Sequence, residues 1–171
     1  MIEAELTTPF HVTVGFVGVP GDRTFHLQAQ DDDQLVTLTV EKTQVAGLGE
    51  LLTQLLARLD DAPATDWDRA AMELREPIEP RWRVGEISIG ATPEGGRILL
   101  ELAELQPPGD ERDPWEVRVW PDQDQVRRLA AHALEIVGQG RPICELCGRP
   151  KELDGSHVCP ATNGHGRLSR T

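Results

Sequence analysis

The chain has 171 residues, 39% of them apolar, and a formal net charge of −12. That length accommodates one ordinary domain and a small appendage, and that charge argues against duplex DNA or an anionic membrane as partner of the whole surface, since both repel a negative field. Met1-Ile2-Glu3-Ala4-Glu5 is acidic with no apolar stretch behind it, so we expect a cytoplasmic chain with no secretory leader and no membrane span.

Residues 10–18 carry alternating Val12, Val14 and Phe16, and residues 24–30 carry Phe25, Leu27 and Ala29, the period-2 pattern of half-buried strands. Val19-Pro20-Gly21-Asp22 joins them as a hairpin, with Pro fixing φ at the second turn position and Gly taking the positive φ that a type II turn needs at the third. A third strand follows Asp31-Asp32-Asp33, with Val36, Leu38 and Val40 on one face. The period then lengthens to 3.6, and Val45, Leu48, Leu52, Leu55 and Leu59 line one side of a helix predicted over 42–60.

Residues 61–80 mix three prolines with acidic residues and a short helix-compatible piece from Asp68 to Leu74, and read as a linker or surface excursion. Strands are predicted again at 82–91, 97–105 and 115–120, separated by a turn at Pro93-Glu94-Gly95-Gly96 and a loop at Pro107-Pro108-Gly109-Asp110. Pro121-Asp122 opens a second helix over 122–138 that gathers Val126, Leu129, Ala130, Ala133 and Val137, with Gly138 and Gly140 near its stop. The expected fold is α+β: two β-β-β-α units forming antiparallel sheet packed by two helices in a body of residues 1–140, then a small zinc-binding tail at 141–171. The units span 10–60 and 82–138, and both true internal repetition and mere reuse of similar strand-to-helix junctions account for their likeness.

All three cysteines fall in the last 28 residues, and in a reducing compartment such a cluster points to a metal or redox site before disulfides. In Cys144-Glu145-Leu146-Cys147-Gly148 two thiols three positions apart turn toward one ion in a tight knuckle, and His157-Val158-Cys159 returns a second pair to complete a tetrahedron. Cys144, Cys147, His157 and Cys159 are therefore the expected ligands of one structural zinc ion, with all four positions filled and none left for water. Three alternatives stay open: a redox dithiol, unliganded side chains, and His165 in place of His157. A redox dithiol normally stands where a strand meets a helix N-terminus, whereas this pair follows a helix that ends near Gly140-Arg141-Pro142.

Other signals have plainer readings. Gly15, Gly18 and Gly21 lack a following Gly-Lys-Ser/Thr and serve as turn and packing glycines. His11, His26 and His132 lie near no nucleophile and read as surface or half-buried histidines. Asp60-Asp61 and Asp31-Asp32-Asp33 show no EF-hand spacing and read as solvated turns. Trp82 and Trp115 are expected to pack in the core, and Trp67 in the linker to be an exposed contact.

The run Val19-Pro20-Gly21-Asp22-Arg23-Thr24-Phe25-His26-Leu27-Gln28-Ala29, Trp82-Arg83-Val84-Gly85 midway, and Gly140-Arg141-Pro142-Ile143-Cys144-Glu145-Leu146-Cys147-Gly148 through His157-Val158-Cys159-Pro160-Ala161-Thr162-Asn163-Gly164 together resemble an uncharacterised actinobacterial family known as a domain of unknown function. The resemblance covers nearly the whole chain and carries no catalytic residue with it. It implies a gene neighbourhood shared with a phosphatidylinositol-kinase-like protein and a histidine-phosphatase-like protein. No nucleophile, general-base pair, phosphate loop or open metal site can be assembled, so the expected role is a non-enzymatic zinc-binding adaptor or regulatory protein, with the kinase-like protein as nominated partner. The alternatives are an enzyme of unrecognised type and a nucleic-acid binder. The second rests on Arg149, Lys151, Arg167 and Arg170 in a tail of charge +2, set against a body of −14.

Overall fold

The computed structural model describes residues 1–59, 61–92, 97–139, 144–147, 151 and 156–160. In chain order its elements are β1 (Ile2–Leu6), β2 (His11–Val19), β3 (Asp22–Gln30), β4 (Leu35–Val40), α1 (Lys42–Arg58), a 3-10 turn (Ala70–Met72), β5 (Val84–Ala91), β6 (Ile98–Glu104), β7 (Glu116–Val119) and α2 (Gln123–Gly138). The fold is α+β, with two sheets and two helices. No helix among the described residues is long and apolar enough to cross a membrane.

β2, β3 and β4 form one antiparallel sheet in that order, and β2 pairs with β3 without a break from His11↔Gln30 to Val19↔Asp22. The Pro20-Gly21 turn has its positive φ at Gly21, 94°. Gly18 also has a positive φ, 101°, and a Cβ there would lie 2.2 Å from the Asp22 carbonyl oxygen, so the strand end is closed to any other residue. Paired residues share a face, which puts Val12, Val14, Leu27, Ala29, Val36 and Leu38 on one apolar side.

The second sheet runs β1-β7-β6-β5. Its β5-β6 and β6-β7 pairs are antiparallel, but β1 lies parallel to β7, so the sheet is mixed and not antiparallel throughout. β1 escaped the sequence reading because its five residues bury only Ala4 and Leu6, leaving the acidic alternates exposed. Those alternates are engaged from the side: the indole of Trp82 donates to Glu3 at 2.6 Å and that of Trp120 to Glu5 at 3.0 Å.

Each helix opens on a reciprocal capping box, Glu41 with Gln44 and Asp122 with Gln125. α1 buries Val45, Leu48, Gly49, Leu52 and Leu56; the stripe closes on Leu56, with Leu55 and Leu59 only partly covered. A Cβ on Gly49 would meet Leu134 Cγ at 2.9 Å, so this glycine sets how closely α1 and α2 approach. Side chains from both sheets and both helices make one core cluster.

The polar side of the β2-β3-β4 sheet is buried too. Residues 61–80, expected as a linker or surface excursion, do run over the surface, and their stretch around Met72 to Arg75 lies on that polar side as a strap. Thr13 donates to the Met72 carbonyl at 2.6 Å. Gln28, fully buried, receives the Arg75 amide at 2.7 Å and donates to the Arg75 carbonyl at 2.9 Å and to Thr37 Oγ1 at 3.0 Å. Leu74 lies against Gly15, where a Cβ would come within 2.7 Å of its Cγ. Beyond the strap, the Arg81 amide bonds to Thr37 and the Thr39 amide to Trp82, both at 2.9 Å, which ties β4 to the chain entering β5. Asp60, the predicted turn at 93–96 and the predicted helix stop at Gly140 lie outside the described residues.

Candidate metal centre

Residues 145–147 turn the chain back so that Cys144 and Cys147 face one another. The backbone N–H of Cys147 bonds to the Cys144 sulfur and, against the opposing effect of burial and with help from the Leu146 N–H, His157 and the Cys147 side chain, holds its thiol down from 9.0 to about 6. A cysteine so placed presents a thiolate, the form that binds metal.

His157 and Cys159 come back from ten and twelve residues beyond Cys147. Cys144 Sγ lies 3.8 Å from Cys159 Sγ, Cys147 Sγ lies 3.7 Å from His157 Nε2, and the four donor atoms all stand within 4.8 Å of one another. These separations have a simple meaning: thiolates about 2.3 Å from a tetrahedral ion are roughly 3.8 Å apart, and a thiolate and an imidazole nitrogen roughly 3.6 Å. The donor set is already spaced to hold a metal ion. Cys144 is buried and the other three are half-buried, while Leu146 and Val158, beside the ligands, are exposed.

All four expected ligands are thus brought together. Cys144 precedes a turn and not a helix, and a third thiol and an imidazole share its surroundings, which is a fuller set of ligands than a redox dithiol requires. His165, the other candidate histidine, lies outside the described residues, as do Arg149, Arg167 and Arg170.

The remaining signals sort by burial. Asp31 accepts the amides of Asp33 and Gln34, each at 3.0 Å, as a turn aspartate does. His11 and His26, expected at or near the surface, are both 5% exposed, because the strap roofs their side of the sheet. Burial, reinforced by the nearby Arg75 charge, lowers His11 from 6.5 to about 4. Burial also lowers His26, and lowers His132 against the bond it makes to the Val14 carbonyl. Trp67 is half-buried under the guanidinium of Arg69, 4.9 Å from its ring, and is not the exposed contact expected. Trp82 packs against the core, and Trp115 is half-buried. The buried polar row of His11, Thr13, Gln28 and Thr37 was missed. Its available signal was chemical: none of these alternate strand positions carries a formal charge, as a solvated face would.

A family model described as a protein of unknown function, DUF3090, matches residues 5–159, a span that includes all four candidate ligands. No curated protein and no solved structure matches the chain.

Proposed function

From the premise that the chain belongs to the DUF3090 family, we propose that it is a non-enzymatic cytoplasmic adaptor or regulatory protein whose tail is held by one structural zinc ion. The observation that carries the zinc reading is the mutual spacing of Cys144, Cys147, His157 and Cys159. Three thiolates and an imidazole in a tetrahedron suit zinc, which has no geometric preference of its own and takes soft sulfur ligands readily. With four protein ligands in place the ion keeps no position for water or substrate, so its contribution is to folding. A zinc-fastened loop that displays Leu146 and Val158 to solvent supports the adaptor reading, because exposed apolar side chains on a fixed turn are a contact surface.

Elemental analysis of the purified reduced protein tests the metal: about one zinc per chain is expected, lost in Cys144→Ser and in Cys159→Ser. His157→Ala against His165→Ala decides the fourth ligand. For the adaptor role, the intact chain and a version ending at Gly140 serve as baits, with the phosphatidylinositol-kinase-like protein nominated by the family resemblance as the first partner to try. Capture by the intact chain and loss with the shortened one is the expected result. Equal capture by both separates the tail from partner binding.

A further inference from the structure

β2 is an outer strand of its sheet, and on its free side it lies at the floor of a cleft whose walls are α2 and the strap. The α2 wall is one stripe: Gln125, Arg128, His132 and Ile136 follow one another at helical spacings of three and four residues, running roughly 16 Å along the helix. Met72 of the strap, itself buried, is shared by the two hollows that make up the cleft and stands where they meet. One end, about 130 Å³, is bounded by Phe10, His11, Arg75, Gln125 and Arg128 among others, none of them acidic. The other, about 300 Å³, is bounded mainly by Phe16, Met72, Leu74, Ile78 and Ile136, with the exposed Glu73 at its margin. The cleft is therefore cationic at one end and apolar at the other.

The cationic end is unusual for this chain. Six of the described arginines hold carboxylates in ion pairs, as a charge of −12 makes easy. Arg128, half-buried, has no carboxylate partner among the described residues, and Arg75 spends its guanidinium on the neutral Gln30 amide at 2.7 Å and on the Phe10 ring at 5.3 Å. Beside them, His11 Nε2 is buried with no hydrogen-bond partner among the described residues. Arg75 is exposed, but the Arg128 side chain, held partly out of water without a counter-charge, attracts an anion more strongly than a solvated one does. An adjoining apolar trough rewards an anion that carries hydrocarbon.

We propose that this cleft binds a small organic acid, with its carboxylate between Arg75 and Arg128 and its apolar part along Phe16, Leu74 and Ile136. The site is separate from the zinc ligands and independent of the adaptor reading. Hexanoate, its uncharged isostere hexanamide, and acetate are suitable probes, titrated into the zinc-loaded full chain and followed residue by residue by amide NMR. Hexanoate is expected to bind at least tenfold more tightly than either hexanamide or acetate, with the largest shifts at residues of β2, α2 and the strap. Arg128→Gln and Arg75→Gln, both on solvent-reached side chains, are expected to fold normally and to erase the preference for hexanoate over hexanamide, whereas Arg58→Gln on α1 leaves it intact. Equal binding of hexanoate and hexanamide, shifts confined to other surfaces, or a preference that survives both cleft variants overturns the proposal.

Discussion

In the body, 25 buried apolar residues drawn from both sheets and both helices share one cluster. In the described part of the tail Cys144 alone is buried, and the apolar Leu146 and Val158 face water. Burial of hydrocarbon, at about 25 cal/mol per Å², therefore organises the first region, whereas among the described tail residues the concentrated feature is four donor atoms spaced to hold an ion. The comparison teaches that, on the zinc reading proposed above, body and tail rest on different interactions, and each is expected to be removable with the other left standing.

The largest effect expected is local. Structural zinc is worth on the order of 10 kcal/mol to the segment it folds, so a strong chelator should release the tail to rapid hydrogen exchange at 144–147 and 156–160 while amides of β3 and β6 stay protected. Loss of protection in both regions together would break the comparison. Next comes the core. Leu52 is fully buried, and Leu52→Asp places an unpaired charge there at a cost of about 4 kcal/mol or more; urea denaturation should show the body unfolding far earlier with zinc stoichiometry unchanged.

The strap sharpens the comparison from within the body, since it is held by polar bonds and not by a stripe of leucines. Gln28→Leu would strand the amide and carbonyl of Arg75, at about 2–3 kcal/mol, and should make residues 61–80 the first site of proteolytic nicking. The smallest effect is a pH limb. His11 titrates near 4 in the folded chain and at 6.5 when unfolded, so the unfolded chain takes up the proton first. The stability owed to its neutral form is complete above about pH 6.5 and lost as pH falls toward 4, on the order of 2 kcal/mol by pH 4.5. His11→Gln should flatten that limb in denaturation midpoints measured from pH 7 to 4.5, and a limb of unchanged depth would assign it to His26 and His132.

What the residues disclosed in advance follows the same division. The helix stripes, the hairpin with Gly21 at its positive φ, and the four donors were all readable, because each is a local pattern in which the spacing itself states the geometry. β1 and the strap were not. IEAEL becomes a strand because β7, far along the chain, offers it a partner, and the strap becomes structure because Thr13 and Gln28 lie beneath it. Helix ends behaved likewise: Leu56 displaced Leu59 at the close of α1 once the neighbouring elements defined which side was inside.

The parallel pairing of β1 with β7 bears on how the molecule is made. The amino group of Met1 donates to the Pro114 carbonyl across a sequence separation of 113, and Leu6 stands opposite Val119. During translation β1 emerges before β2 through β7, yet its neighbour in the sheet, β7, leaves the ribosome only seconds later at ordinary elongation rates. The β2-β3-β4 meander and α1 are complete long before then, so β1, made ahead of them, docks after them, and closing so long a loop makes that docking slow relative to hairpin formation. A nascent chain arrested just short of β7 should hold a formed meander and an unattached leading strand.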